Sequence, residues 1–146
     1  MDRGLAIPLT VVAGGMIALQ APINGMLGRT IGSFAAAALS FTLGSLVLIV
    51  IAALLGGFGQ VGAVRSLGPV YLLGGVLGAI YVTTALTTVT TLGAGGVTAA
   101  TIAGQLALSV AADRFGLLGL AQKPLSVSRI AGLALLAAGT FLIVRE

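Results

Sequence analysis

The chain has 146 residues, of which 58% are hydrophobic and 7% charged, with 23 glycines and neither Cys nor His. Soluble domains carry about 25% charged residues, so this chain lacks the charged surface that keeps a protein in water. The missing Cys and His exclude thiol and imidazole catalysis, zinc sites and disulfides. We therefore expect a membrane protein that is not an enzyme and that holds no metal or cofactor.

The net charge of +4 does not indicate nucleic-acid binding. The seven cations are scattered along the chain, whereas a nucleic-acid footprint needs a basic patch on one face. Loops between membrane spans explain the cations better, so we expect the lipid bilayer, and no nucleic acid, as a partner.

Long uncharged stretches mark the membrane spans. Crossing a hydrocarbon core of ~30 Å takes about 20 residues at about 1.5 Å each, so the uncharged stretch 66–112 is long enough for two spans. Helices are favoured over barrel strands because the stretches lack strict alternation of apolar and polar residues. The sequence predicts an all-α polytopic membrane protein, a single domain over 1–146, with five transmembrane helices at 5–26, 32–56, 69–91, 95–112 and 127–144.

Five spans place the two termini on opposite faces of the membrane. The face with the N-terminus then carries five cations against two on the other face, and the five are Arg3, Arg65, Arg114, Lys123 and Arg129. By the positive-inside rule we expect the N-terminus in the cytoplasm and the chain in the inner membrane. Three of the five cations lie in one connection, so the bias is modest and dual topology stays open.

Glycines inside the spans indicate close helix packing, because small residues let helix backbones approach one another in lipid. Gly74 and Gly78 form a GxxxG pair with Gly75 beside them, and Gly104 continues a small-residue repeat on the fourth helix. Two interpretations stay open for these glycines, which are packing within one subunit and contact between subunits.

Uncharged polar side chains are the candidates for a substrate-binding site, because no Asp, Glu, Lys or Arg falls in the middle of a span. The candidates are Gln20, Asn24, Ser40, Tyr81 and Gln105. Four of them, all but Asn24, lie roughly 9–14 Å from the membrane face that carries the C-terminus, at about 1.5 Å of helix rise per residue. These four side chains therefore form one layer. In the alternative interpretation, Gln20 and Gln105 only join helices by hydrogen bonds.

Two further residues border this predicted layer. Pro22 lies between Gln20 and Asn24 and removes a backbone hydrogen bond, so we expect a kink that forms one edge of the site. Asp113 ends the fourth helix beside Arg114. It is either half of an interfacial ion pair or a residue that gates or couples transport.

Eight short motifs in order also match a known pattern. They are Gln20-x-Pro22-x-Asn24-x-x-Leu27, Ser40-Phe41-x-x-Gly44, Gly74-Gly75-x-x-Gly78, Leu92-Gly93-Ala94, Ala103-Gly104-Gln105-Leu106, Asp113-x-x-Gly116, Lys123-Pro124-Leu125 and Arg129-x-x-Gly132. With five spans, these motifs resemble the YdcZ-type (EamA-like) family of small bacterial membrane proteins. That family is a five-helix branch of the drug/metabolite transporter superfamily, and the resemblance covers nearly the whole chain.

The resemblance implies half of a ten-helix transporter, in which two five-helix halves of opposite orientation form an inverted repeat. The second half is either another copy in an antiparallel dimer or an oppositely oriented five-helix paralogue. Small multidrug resistance relatives carry a cation-binding glutamate in the first helix, and here that helix offers only Gln20 and Asn24. Drug-cation/proton antiport therefore does not carry over.

The functional expectation is a membrane transporter that moves a small neutral or weakly charged metabolite by alternating access. The alternative is a non-transporting accessory subunit, or a helical scaffold of a larger complex. The sequence names neither the substrate nor a coupling ion.

Overall fold

The structure is a computed structural model that describes residues 2–145. Four α-helices carry most of the chain: α1 (Arg3–Ile31), α2 (Ser33–Leu54), α3 (Leu73–Phe115) and α4 (Val127–Val144). Short 3-10 turns lie at Val61–Ser66, Pro69–Leu72 and Leu117–Gly119, and residues 2–145 contain no β-strand. All four helices are long and apolar enough to cross a membrane, which confirms the predicted all-α polytopic membrane class.

Helix α3 is long enough for two spans, because its 43 residues would extend about 65 Å at about 1.5 Å each, twice the hydrocarbon thickness. Gly93 divides it with φ 67° and ψ 169°, a conformation that only glycine adopts readily. The first segment of α3 is 73–92 and the second is 94–115. Both lie close to the predicted spans 69–91 and 95–112.

The other helix limits also follow from glycine and capping residues. Gly32, with φ 87°, is the single residue between α1 and α2. Helix α1 ends at Ile31, five residues beyond its predicted end at 26. Ser126 caps α4 by accepting a hydrogen bond from the Arg129 backbone N–H at 3.3 Å. Helix α4 covers 127–144, as the sequence predicts.

The residues cluster into two compact units. The central unit, Leu19–Thr90, contains the later part of α1, all of α2 and nearly all of the first segment of α3. The terminal unit, Met1–Ala18 with Thr91–Glu146, contains the start of α1, the second segment of α3 and α4.

A small core of alanine and aliphatic side chains joins three helices of the central unit. It consists of Ala36, Ala37, Val82 and Leu86, with Leu27, Phe41 and Tyr81 packed against it. A Cβ at Gly25 would lie 2.8 Å from Val89 Cγ1, and one at Gly28 would lie 2.8 Å from Leu86 Cδ2. These two glycines therefore allow α1 to approach the first segment of α3 closely.

The four glycines that the sequence singled out have different surroundings. A Cβ at Gly78 would lie 3.3 Å from Phe41 Cζ, so Gly78 packs within the central unit. At Gly74, Gly75 and Gly104 an added Cβ would meet no atom of the described chain within 4 Å. Close packing within their own units therefore does not explain these three, and contact between subunits stays a prediction for them.

The terminal unit is held by contacts between the second segment of α3 and α4. Gly96, Val97 and Ala99 are buried. A Cβ at Gly96 would lie 3.8 Å from Val144 Cγ2, and the Thr140 hydroxyl donates to the Ala99 carbonyl at 3.1 Å. In lipid such interhelical hydrogen bonds add to the van der Waals packing.

Replacing Gly93 with Ala tests the division of α3. The Cβ has open space, so the cost comes from the backbone conformation, and we expect a loss of about 1–3 kcal/mol in the free energy of unfolding. Gly95→Ala is the matched control, because its Cβ also has open space but its backbone is helical. Denaturation in mixed micelles followed by circular dichroism measures both. Equal stability of the two variants would mean that α3 is not divided at Gly93.

Candidate functional site

Asn24 and Ser40 form the polar contact at the centre of the candidate site. The Asn24 side chain donates from Nδ2 to Ser40 Oγ at 3.1 Å and thereby joins α1 to α2. Asn24 is only 5% exposed, and its neighbours on α1, Ala21 and Gly25, are also buried. Burying a carboxamide is costly without a partner, and Ser40 supplies one. The structure thus brings together two of the five residues that the sequence selected.

The Asn24–Ser40 pair keeps unused hydrogen-bonding capacity. A carboxamide has two N–H donors and an acceptor oxygen, and a hydroxyl has a donor of its own. Within residues 2–145 the Asn24 side chain makes this single hydrogen bond. Its second N–H and its oxygen are therefore groups that a ligand or another subunit can engage.

Gln20 and Tyr81 lie in the same unit as this pair. Gln20 is one turn before Asn24 on α1 and is half-buried. Tyr81, on the first segment of α3, packs against the core that contains Ala36 and Ala37, the residues one turn before Ser40. Four of the five candidate side chains thus belong to the central unit.

Gln105 belongs to the terminal unit, on the second segment of α3, and its side chain is exposed. Its membership in the predicted polar layer stays a prediction. An exposed carboxamide within a membrane span needs a hydrogen-bonding partner, because hydrocarbon supplies none.

Helix α1 runs without interruption from Arg3 to Ile31 and so continues through Pro22. Proline lacks a backbone N–H, so one hydrogen bond of the helix is missing at this point. Pro22 is half-buried between Ala21, which is buried, and Ile23, which is exposed. A kink at Pro22 stays a prediction.

Two threonine hydroxyls of the central unit, those of Thr87 and Thr88, donate hydrogen bonds within their own helix. On the first segment of α3, Thr87 donates to the Thr83 carbonyl at 3.0 Å, and Thr88 donates to the Thr84 carbonyl at 2.8 Å. Such bonds to the same helix satisfy a hydroxyl in lipid without a second helix. These threonines are therefore weaker candidates for ligand contact than Asn24 and Ser40.

Asp113 forms ion pairs in the terminal unit, although not with the adjacent Arg114 that the sequence suggested. Its Oδ2 lies 3.3 Å from Arg129 Nη1 and 3.8 Å from Lys123 Nζ. The Lys123 backbone N–H also donates to the Asp113 carbonyl at 2.9 Å. These contacts join the end of α3 to the start of α4 across the intervening loop.

The sequence did not identify an apolar groove on the terminal unit. Its volume is about 470 Å³, and it is lined by Ala100, Ala103, Ala137, Thr140, Phe141, Val144 and Arg145. The Arg145 guanidinium lies 5.9 Å from the centre of the Phe141 ring. The sequence carries one signal for it, the small-residue spacing around Ala100. The groove itself was not predicted, because grooves of this kind depend on how two helices meet.

Within 2–145 no group of three His, Cys, Asp or Glu lies together as a metal site would require. The candidate side chains carry amide, hydroxyl and phenol groups. The fold defines the class of the chain, a multi-pass α-helical membrane protein.

A comparison with protein families agrees with this class. The family model described as "Putative inner membrane exporter, YdcZ" matches residues 5–142. The chain therefore belongs to the YdcZ family of inner-membrane proteins, which confirms the resemblance found in the sequence. No curated protein and no solved structure matched the chain.

A double-mutant cycle on Asn24→Ala and Ser40→Ala measures the contact between α1 and α2. We expect a coupling energy of about 0.6 kcal/mol, with about 1.7 kcal/mol as the upper range for such bonds in membranes. The measurement is the free energy of unfolding of the two single variants and the double variant in micelles.

Thr42→Val provides the control in the same cycle. The Thr42 hydroxyl donates to the Ala38 carbonyl of its own helix at 2.8 Å, so it should show no coupling to Asn24. If the coupling energy between Asn24 and Ser40 is no larger than that between Asn24 and Thr42, the Asn24–Ser40 hydrogen bond is ruled out.

Proposed function

We propose that the chain is one half of an inner-membrane exporter that moves a small neutral or weakly charged metabolite by alternating access. Family membership supports membrane transport, because the matched family is described as an inner membrane exporter. The observation that carries the proposal is the buried Asn24–Ser40 pair, which joins two helices and keeps hydrogen-bonding groups that its single bond does not use.

The neutrality of the proposed substrate follows from the charges around the site. Residues 19–90 contain no Asp or Glu, and their two cations, Arg29 and Arg65, lie near or beyond the ends of helices. A fully charged substrate would enter hydrocarbon without a counter-ion, which is costly. A ligand with amide, hydroxyl or carbonyl groups instead matches the donors and acceptors of Asn24 and Ser40.

The proposed site extends beyond this pair. Gln20 adds a carboxamide one turn away on α1, and Tyr81 adds a phenol from the first segment of α3. Gln105 contributes from the second segment of α3 as the fifth member. Each group is uncharged, so the proposed site recognises the shape and hydrogen-bonding pattern of a metabolite and not its charge.

Asp113 is the proposed gate or coupling residue, because it is the only acid between Asp2 and Glu146. Its pairs with Lys123 and Arg129 connect the end of α3 to the start of α4. Opening these pairs would release that connection during a conformational change. Partly exposed ion pairs of this kind are weak enough to open and close.

The proposed assembly is an antiparallel dimer that completes an inverted repeat. The partner is a second copy or an oppositely oriented paralogue. Gly74, Gly75 and Gly104 support a contact between subunits, because an added Cβ there meets nothing in the described chain. Exposed Gln105 is a further polar group that a second subunit can satisfy.

Transport into or out of liposomes, assayed over a panel of neutral and weakly charged metabolites, tests the proposed activity. For a transported compound, we expect Asn24→Ala, Ser40→Ala and Gln20→Ala each to lower the rate about threefold to tenfold, the usual effect of one lost hydrogen bond. Thr42→Val is the control and should transport normally, because its hydroxyl bonds within α2.

Two results would contradict the substrate site. Loss of stability with unchanged transport would assign these residues to helix packing. Absence of transport for every compound, with the protein folded and co-purifying with another membrane protein, would favour an accessory subunit or scaffold.

Cysteine labelling in intact cells tests the dimer, and the native chain contains no cysteine to interfere. Thr30→Cys reports the end of the first span and Ser66→Cys the connection after the second, and the proposed topology places these two positions on opposite faces of the membrane. We expect both to react with an impermeant maleimide in part of the molecules, because two antiparallel copies need both orientations. Labelling of Thr30→Cys alone in an active homodimer would overturn the antiparallel pairing of identical copies.

A further inference from the structure

The segment 114–129 contains the last two residues of α3, the loop that follows and the first turn of α4, and we call it the α3–α4 connection. It combines exposed apolar side chains with three of the seven cations of the chain. The exposed apolar residues are Phe115, Leu117, Leu118, Leu120 and Leu125. Arg114, Lys123 and Arg129 are the cations, and Asp113 is the one acid beside them. Apolar side chains are exposed along the helices as well, so what sets this segment apart is that its leucines lie beside cations at the end of a span.

Local hydrogen bonds give this connection a defined conformation. The Lys123 backbone N–H donates to the Asp113 carbonyl at 2.9 Å, and Gln122 Nε2 donates to the Phe115 carbonyl at 3.4 Å. The chain thus turns back onto the end of α3. The apolar side chains are presented by a structured loop.

Leu118 has an unusual backbone conformation within this loop. Its φ is 56°, in the left-handed region that residues with a Cβ disfavour, and it is the one non-glycine residue with positive φ among residues 2–145. Its side chain is 64% exposed, so burial within the chain does not offset the strain. Contact with an apolar molecule outside the chain would provide that compensation.

The charge of the connection is only partly neutralised. Lys123 Nζ and Arg129 Nη1 both approach the same oxygen, Asp113 Oδ2. One carboxylate therefore faces two cations, with Arg114 adjacent in sequence, and the Lys123 side chain remains 56% exposed. Both cations keep further N–H donors for a second anion.

We propose that the α3–α4 connection binds an anionic phospholipid. The lipid phosphate lies on Lys123 and Arg129, and its acyl chains lie against Leu117, Leu118 and Leu120. A lipid fits better than a soluble anion, because the cations and leucines occur together at the end of a membrane span. Cations at this level are attracted to anionic headgroups, and exposed leucines enter the acyl boundary.

Asp113 limits the affinity of this site. Its carboxylate occupies N–H groups of the same two cations that the phosphate requires. Neutralising Asp113 therefore strengthens phospholipid binding, whereas neutralising a cation weakens it. General attraction to a negative surface would respond to these charges in the same directions, so a cation elsewhere in the chain is needed as the control for a specific site.

The test is native mass spectrometry of the full chain in detergent, titrated with phosphatidylglycerol or phosphatidylcholine of identical acyl chains. We expect the anionic lipid to bind more tightly, and Lys123→Gln to lower its affinity about fivefold, the usual effect of one cation at a membrane surface. Asp113→Asn should raise the affinity, and Leu118→Ser should lower the affinity for both lipids.

Arg65→Gln is the matched control, because Arg65 is an exposed cation in the connection between α2 and α3. It should leave phosphatidylglycerol affinity unchanged. Equal binding of the two lipids, an equal loss with Arg65→Gln, or displacement of the lipid by millimolar inorganic phosphate would each overturn the proposal. Displacement by phosphate would indicate a site for a soluble anion instead.

Discussion

Hydrocarbon offers no hydrogen bonds, so each polar group in a span must find its partner within protein, at a helix end or on a ligand. This constraint accounts for the placement of most polar side chains here. Thr87 and Thr88 bond to their own helix, and Asn24 bonds to Ser40 across two helices. The charged groups of Asp113 and Lys123 lie at a helix end and in a loop. The remaining capacity of Asn24 and Ser40 is therefore the strongest indication of a binding site in the chain.

Close approach of backbones makes the central unit possible. Gly25 and Gly28 bring α1 within contact of the first segment of α3, and Ala36 and Ala37 form the core on α2. Larger residues at these positions would separate the helices, because an added Cβ already lies 2.8 Å from a neighbouring side chain. The small residues thus hold Asn24 in the buried position where its amide can reach Ser40.

The central unit and the connection between α3 and α4 differ in charge, and our two proposals depend on this difference. The central unit has no acid, and its two cations lie near or beyond the ends of helices, which favours a neutral substrate. The cationic connection between α3 and α4 favours an anionic lipid. Asp113 belongs to both arguments, because its pairs with Lys123 and Arg129 close the connection and also compete with a lipid phosphate. Lipid binding at this connection would therefore influence the contact between α3 and α4.

The sequence by itself determined the membrane class, the helical spans and the YdcZ family, because scarcity of charge and the length of apolar stretches depend on composition and order alone. It also selected Asn24 and Ser40, since polar residues are few in the spans. Only the tertiary structure decided that these two meet, that Asp113 pairs with Lys123 and Arg129, and that Gly25 and Gly28 pack closely against α3. Such contacts depend on how helices rotate and approach one another, and small, uniformly apolar helix faces leave that rotation undetermined in the sequence.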